Sequence, residues 1–416
     1  MHAQNTRKPR RPALRPLIAA LATTTSCAAW AEDPSPWYLG ASVAVTRDSN
    51  VFRVPDGPGD TYATTSLLGG FDQAISRQRF YASARVGYSK YQQQDNLDNV
   101  GYGLAAGWDW ATIEKLTGNV NVSANRSLAS LNGNSTRPTR NRNMLSNEQL
   151  STGVRWGGDG LLSLFANYGH GRVRYSAAEY ITSEGSSDTV SVGTNYRLGG
   201  STTVGVAVRL TRTVNPHGEA LTIIPSGPED FTSVTDHGRN LDLLADWTYT
   251  PQTRVSARLS LTRQTYSGGA SDRNFSGVTG SISANYAPTA KLAFTALLQR
   301  DAGNNAAYFS TSNSTTGATS IGLSQSSTSS NLVQLGATYA ATAKIGVSAG
   351  LLYRRSALIG GGSDALTQWS LGTSYAIARN WQLGCNLSRE SRSYSGISGL
   401  DYNANTVGCS AQFTLR

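Results

Sequence analysis

The sequence predicts an all-β protein, a transmembrane antiparallel β-barrel of the outer-membrane type, and three observations carry that prediction. Apolar and polar residues alternate with a period of two along nearly the whole chain. The connections between alternating segments are short and long by turns. Aromatic residues recur just before the short connections. In Thr117–Asn125 the even positions are apolar or small, and the odd ones are Thr117, Asn119, Asn121, Ser123 and Asn125. A strand points successive side chains to opposite faces, so this segment has one apolar and one polar face. No separate apolar layer is available to cover so many such faces, which suggests a closed sheet surrounded by lipid.

Composition excludes the main alternatives. Apolar residues make up 39% of the 416-residue chain, and beyond the N-terminus no apolar run approaches the roughly 20 residues of a spanning helix. A low-complexity disordered chain fits poorly with 19 Tyr, 8 Trp and regular Val/Leu alternation. Residues 1–31 read as a cleaved secretory signal: Arg7, Lys8, Arg10, Arg11 and Arg15 precede an apolar stretch from Leu17, and Ala29-Trp30-Ala31 gives the cleavage site. Residues 32–416 then form one barrel domain. The chain carries 36 basic and 26 acidic residues, a net +10, and without the leader's five basic residues the balance is +5. The basic character is thus partly a targeting feature and gives no reason to expect nucleic acid as a partner.

The strands follow in order. Trp37 to Asp48 alternates with Trp37, Leu39, Ala41, Val43 and Val45 on one face, and Asn50 to Asp60, rich in Pro and Gly, is a loop. A second strand covers roughly Thr61 to Gln73 and turns at Ser76-Arg77. The third puts Phe80, Ala82, Ala84, Val86 and Tyr88 outward, with Tyr81, Ser83, Arg85 and Gly87 inward. Val100 to Trp110 marks the fourth. Further strands centre near Val122, Gly153, Leu164, Val192, Val206, Leu243, Leu259, Ile282, Ala296, Leu335, Val347, Leu371, Leu383 and Cys409. The total is about 18 strands, or about 16 without the two least regular, both within the even counts of bacterial outer-membrane barrels.

Short turns follow the even-numbered strands, at Gly157–Gly160, Gly199–Ser201, Thr250–Thr253, Ala287–Ala290, Ala340–Ala343 and Ile377–Asn380. Long polar loops follow the odd ones, including Leu131–Asn143, Thr213–Thr235 and Ala302–Ser329. Short periplasmic turns and longer outside loops are the barrel pattern, so both termini are expected in the periplasm. Trp110, Trp156, Tyr196, Tyr249, Tyr286, Tyr339 and Tyr375 precede the short turns and predict an aromatic belt at the periplasmic interface.

The inward face is mostly Gly, Ser, Thr, Asn and Gln. Arg85, Arg155, Arg197, Arg209, Arg254, Arg258, Lys291, Lys344 and Arg354 share its parity, against Asp109, Asp242 and Asp246. Such an excess predicts a pore that favours anions, unless the arginines pair with acids and brace the wall. Catalytic and metal constellations are thin. His170 falls at an outward strand end, His217 and His237 lie about the long loop Thr213–Thr235, and Asp56 and Asp60 lack calcium-loop spacing. Neither an enzyme nor a cofactor is expected. Cys27 leaves with the leader, while Cys385 and Cys409 share the outward parity of the last two strands. A symmetric hairpin places them opposite each other, suited either to a disulfide or to two lipid-facing thiols.

Arg47-Asp48-Ser49-Asn50-Val51-Phe52-Arg53, with Val54-Pro55-Asp56-Gly57, the Tyr-rich hairpins and the Cys385/Cys409 ending, resembles EpsL-like outer-membrane proteins. These are β-barrel porins encoded with exopolysaccharide biosynthesis machinery. The resemblance implies a Gram-negative outer-membrane channel for export or assembly of a secreted polysaccharide. Its partners would be lipid, that polysaccharide (anionic, given the basic lumen) and other export components. Barrels of this class often end on an aromatic residue, whereas this chain ends Phe413-Thr414-Leu415-Arg416. The polar inward ladders, with Tyr81 and Phe165 as stacking surfaces for sugars, equally suit a general or oligosaccharide diffusion porin. A structural or adhesive barrel is the remaining reading.

Overall fold

The computed structural model describes residues 35–129, 141–158, 160–220, 231–268, 274–302, 310–312, 319–321, 327–358, 362–395 and 401–416. The expected leader, residues 1–31, and the central parts of the three longest predicted loops lie outside these residues. Period-two alternation gives strands β1 (Trp37–Asp48), β2 (Asp60–Ile75), β3 (Gln78–Tyr91), β4 (Asn99–Ala111), β5 (Leu116–Leu128) and β6 (Met144–Trp156). They are followed by β7 (Leu162–Tyr175), β8 (Gly185–Leu198), β9 (Thr202–Ala220), β10 (Phe231–Thr250), β11 (Thr253–Ser267), β12 (Phe275–Thr289) and β13 (Leu292–Ala302). A short hairpin, β14 (Ser310–Ser312) with β15 (Thr319–Ile321), lies in the next connection. The chain ends with β16 (Ser327–Ala340), β17 (Ile345–Leu358), β18 (Ser363–Ala378), β19 (Trp381–Tyr394) and β20 (Tyr402–Leu415).

All strands except β14 and β15 form one 18-stranded antiparallel sheet. Each pairs with its neighbours along the chain, and β1 pairs with β20 as well as with β2, so the sheet closes. This decides the strand count at 18. The second strand, the least regular in sequence, runs longer at both ends than expected. In β1, Trp37 opposes Phe71 and Leu39 opposes Leu415, so the first and last strands begin and end on the side of the short turns.

The two faces separate as the parity requires. Leu39, Leu67, Leu243, Leu261 and Ile282 are exposed on the outer wall, while Ser42, Ser66, Ser260 and Thr279 are buried on the inner one. Apolar surface in water costs roughly 25 cal/mol per Å², so an outer wall of this kind belongs in lipid. No described helix is long and apolar enough to cross a membrane; the strands make the crossing.

Local chemistry fixes the turns. Gly157 and Gly158 have φ of +112° and +52°, a backbone that a Cβ disfavours. Thr289 and Thr342 share a different device, side-chain capping, at two other turns. Thr289 Oγ1 accepts the N–H of Lys291 and Leu292, and Thr342 Oγ1 accepts those of Lys344 and Ile345.

Cys385 and Cys409 are directly opposite in the β19–β20 register, both exposed on the outer wall, with Cα atoms 4.1 Å apart and the sulfurs bonded. The bridge closes a sequence separation of 24 residues in the hairpin that meets β1. Intact-mass measurement of the non-reduced protein is expected to give the disulfide form. Replacing both cysteines with Ser is expected to lower stability by about 2–4 kcal/mol in urea titration of the refolded barrel. Free thiols in the purified, non-reduced protein would remove the bridge.

Candidate functional site

The inward parity of the strands converges on the lumen, and most of its arginines meet carboxylates. Arg209 donates to Asp242 from Nε at 2.9 Å and from Nη2 at 3.2 Å, the paired geometry that favours Arg over Lys. Arg258 lies 3.6 Å from Asp301, and Arg254 lies 3.5 Å from Asp246, which also accepts from Ser256 at 2.6 Å. Arg354 is 3.2 Å from Asp364. Arg85 instead donates to the Ser42 and Ser66 hydroxyls, both at 3.2 Å. Arg155 is half-buried opposite Phe165, and Arg197 stands at the turn end of β8. Lys291 and Lys344 depart from the expected wall. Their inward parity was counted past the strand ends, and both are exposed residues of the Thr-capped turns, on the rim of the barrel.

Several charged wall residues were not singled out from sequence. Asp72 accepts two hydrogen bonds from Arg79 at 2.9 and 2.6 Å. Asp364 accepts from Arg392 Nε at 2.8 Å and Nη2 at 3.1 Å, besides its contact with Arg354. All three side chains of that cluster are 5% exposed or less. The expected cation excess is therefore largely matched by acids, the bracing arrangement. Inward parity alone could have found Asp72, Asp301 and Asp364, because each shares the face of the arginine it meets.

Hydroxyls and amides fill the spaces between charges. Thr262 donates to Asn240 at 2.7 Å and shares a hydrogen bond with Thr279, and Thr64 pairs with Ser89 at 2.8 Å. The two proposed stacking rings lie against glycines of the next strand. A Cβ on Gly107 would stand 2.2 Å from the Tyr81 ring, and one on Gly193 would stand 2.6 Å from Phe165. The Tyr81 hydroxyl is also fixed, donating to Asn121 at 2.5 Å.

At the loop end, two segments fold over the wall. In the first, Asn50 takes the backbone of its own loop: its amide donates to the Val54 and Asn403 carbonyls, and its oxygen accepts from Val54 N–H. Phe52 is buried with Tyr91 and Leu97. Arg53 binds Asp48 at 2.9 Å and Glu390 at 3.3 Å. Burial alone would lower the Arg53 pKa, but Glu390 and Asp48 raise it above its ordinary value. The second segment, Ser176–Glu184, carries a 3₁₀ turn over Ala178–Ser183. Its base is tied to β6 through Ser176 N–H to Met144 and Ala177 N–H to the Asn143 side chain. Tyr180 is 1% exposed. Burial pushes its phenol up to about 12, with Glu179 adding to the rise and Arg392 opposing it. Arg392 belongs to β19, ninth from β8 around the 18-strand ring and so on the opposite wall. The loop after β7 thus holds Tyr180 within electrostatic reach of that wall.

The other candidates occupy other places. Trp156, Tyr196, Tyr249, Tyr286, Tyr339 and Tyr375 are exposed on the outer wall at the turn end, and Trp110 is half-buried there. Ring pairs extend the band: Trp108–Trp110, Trp247–Tyr249, Tyr286–Phe294 and Trp381–Phe413. His170 bonds Asp188 at 2.8 Å on the outer face, His217 meets the Phe231 ring edge-on, and His237 is exposed. Asp60 accepts backbone N–H groups of Thr61, Gln93 and Gln94, holding two loops together. Among the described residues no three His, Cys, Asp or Glu side chains are grouped to hold a metal.

A closed antiparallel sheet with a lipid-compatible outer wall and a polar, charge-paired lumen defines an outer-membrane β-barrel. No protein-family model matches the chain, and no curated protein does. Solved structures with a similar barrel include the outer membrane protein OpdK of Pseudomonas aeruginosa, 11% identical over 91% of this chain and 99% of that one, with a TM-score of 0.44. OpdL of Pseudomonas aeruginosa is 12% identical over 92% of this chain and 99% of its own, with a TM-score of 0.45. The ferric-catecholate import receptor Fiu of E. coli K12 is 9% identical over 90% and 81%, with a TM-score of 0.42.

Asp364 faces two arginines in a buried site, so Asp364→Ala leaves two cations without their counter-charge. The expected loss is about 3–5 kcal/mol in urea unfolding. Limited proteolysis is expected to cut first at the loop ends of β17, β18 and β19, where the three side chains meet.

Proposed function

We propose that the protein is an outer-membrane channel of the diffusion-porin kind, passing small hydrophilic solutes between the outside and the periplasm. The observation that carries this reading is the polar, charge-paired lumen of the closed sheet, with the loop Ser176–Glu184 at its mouth and Tyr180 buried there. A mouth narrowed in this way favours small solutes over a polymer. The paired Arg and Asp side chains suit it, because a lumen with both charges fixed in place admits polar solutes without strong binding. Arg85 and Arg155 have no carboxylate partner among the described residues, and they support a mild preference for anions. In this reading residues 1–31 are removed on export, and the short turns and both termini face the periplasm.

Export or assembly of a secreted polysaccharide is the second reading, with that polymer and its export machinery as partners. Supporting it are the Arg47–Arg53 resemblance, the hydroxyl ladders, and the rings of Tyr81 and Phe165 held against the wall. The loop would then have to swing away from β19 for a polymer to pass.

In planar lipid bilayers the purified barrel is expected to conduct ions, and deletion of residues 178–183 is expected to raise the single-channel conductance. An unchanged conductance would show that this loop is not the constriction. Under a salt gradient the reversal potential should lie toward the anion side, and clear cation selectivity overturns that preference. A strain lacking the protein that loses secreted polysaccharide while taking up small solutes normally would favour the export reading.

A further inference from the structure

The two ends of the outer wall differ in chemistry. The turn end carries aromatic rings. Just beyond the apolar band at the loop end, Arg126, Arg172, Arg239, Arg263, Arg300 and Arg389 are exposed on the outward parity of different strands. On β10 and β11 the sequence of levels is explicit. Leu243 opposes Leu259, Leu241 opposes Leu261, and one pleat further out Arg239 opposes Arg263. Two residues along a strand advance about 7 Å, which carries the side chains from hydrocarbon to headgroups.

Carboxylates at this level are few and already engaged. Glu148 accepts from Arg174 at 2.5 Å, and Asp188 accepts from His170 and Tyr168, each at 2.8 Å. Arg239 and Arg263 make no side-chain hydrogen bond or ion pair among the described residues. Like charges directly opposite on one face of a sheet repel, so this pair calls for an anion supplied from outside the chain. The group that sits at this depth beside a barrel is a lipid headgroup. A phosphate can accept from two guanidinium forks at once, which a carboxylate does less well.

We propose that the arginine girdle at the loop end binds the phosphorylated headgroups of the surrounding lipid leaflet, and that Arg239 and Arg263 together hold one phosphate. The girdle lies on the outer wall, so this is independent of what passes through the lumen. It gives the barrel a preferred orientation in a bilayer whose two leaflets differ in charge: rings on one side, cations on the other.

The test reconstitutes the full-length mature barrel in phosphatidylcholine vesicles with and without phosphatidic acid. After detergent extraction, the lipid retained by the folded, heat-modifiable band is counted by mass spectrometry. Wild-type protein is expected to retain phosphatidic acid severalfold over its share of the bilayer. Arg239→Gln with Arg263→Gln should lose most of that enrichment. Arg239→Lys with Arg263→Lys, which keeps the charge but loses the forks, should fall between. Arg379→Gln removes a charge from the turn at the opposite end, and should behave as wild type. Equal enrichment in the double Gln variant overturns the site. Displacement of the lipid by inorganic phosphate alone would make this a general anion site, and would overturn its assignment to lipid.

Discussion

Lipid offers no hydrogen-bonding partner to a backbone, so every N–H and C=O inside the bilayer must be paired within the protein, and an open sheet edge is excluded. The pairing of β1 with β20 meets that constraint. Everything else in the molecule depends on it, because an 18-stranded sheet with a seam that opens has two edges in oil. The seam is bridged at its loop end, and the strand pairs on either side of it are tied further down. At the loop end Arg53 joins Asp48 of β1 to Glu390 of β19, and the Tyr402 hydroxyl of β20 donates to Glu390. At mid-wall Cys385 and Cys409 are bonded in register. At the turn end the Trp381 and Phe413 rings meet, and Trp37 meets Phe71.

The lumen obeys a second constraint, that a charge withdrawn from water needs a partner. Breaking a buried pair leaves an uncompensated ion, at a cost of about 3–5 kcal/mol, whereas an exposed pair is worth about 0–1 kcal/mol. The charges divide accordingly. Asp364, Arg354 and Arg392 are buried and tightly bonded, and so fix the wall at the loop end. Arg254–Asp246 and Arg79–Asp72 are about half exposed, and they set the local field more than the stability. The deep cluster holds the shape of the mouth, and the shallow pairs are what a solute would meet.

Much of this was legible in the sequence for a physical reason. Side-chain direction in a strand depends only on neighbours along the chain, so alternation located the strands and sorted Leu243 from Asp242 without knowledge of the fold. Cross-strand partners depend on register between segments far apart in sequence, and alternation is silent about it. Hence Arg392 and Asp364 passed unnoticed, although each lies on the inward parity. Lys291 and Lys344 show the opposite error, since parity has meaning only while the chain remains a strand. The burial of Tyr180 was not readable either, because the base of its loop is anchored by Asn143 and Met144, where β6 begins, far off in sequence.

The Asn50 region shows what a short resemblance can carry. Asp48, Asn50, Phe52 and Arg53 all have contacts, and most serve closure, an ion bridge to β19 and a side chain tied to β20, while the Phe52 ring is buried under the first two loops. A segment whose chemistry is spent on the seam would be retained in any barrel closed in this manner, whatever moved through it. Any cargo of the proposed channel would be decided by side chains that face the lumen, here the paired charges, the hydroxyl ladders, and the two rings laid on glycine. Those positions share no continuous stretch of sequence. They are gathered only when the strands are registered around the ring, so in the proposed channel the lumen, rather than the opening motif, would determine what passes.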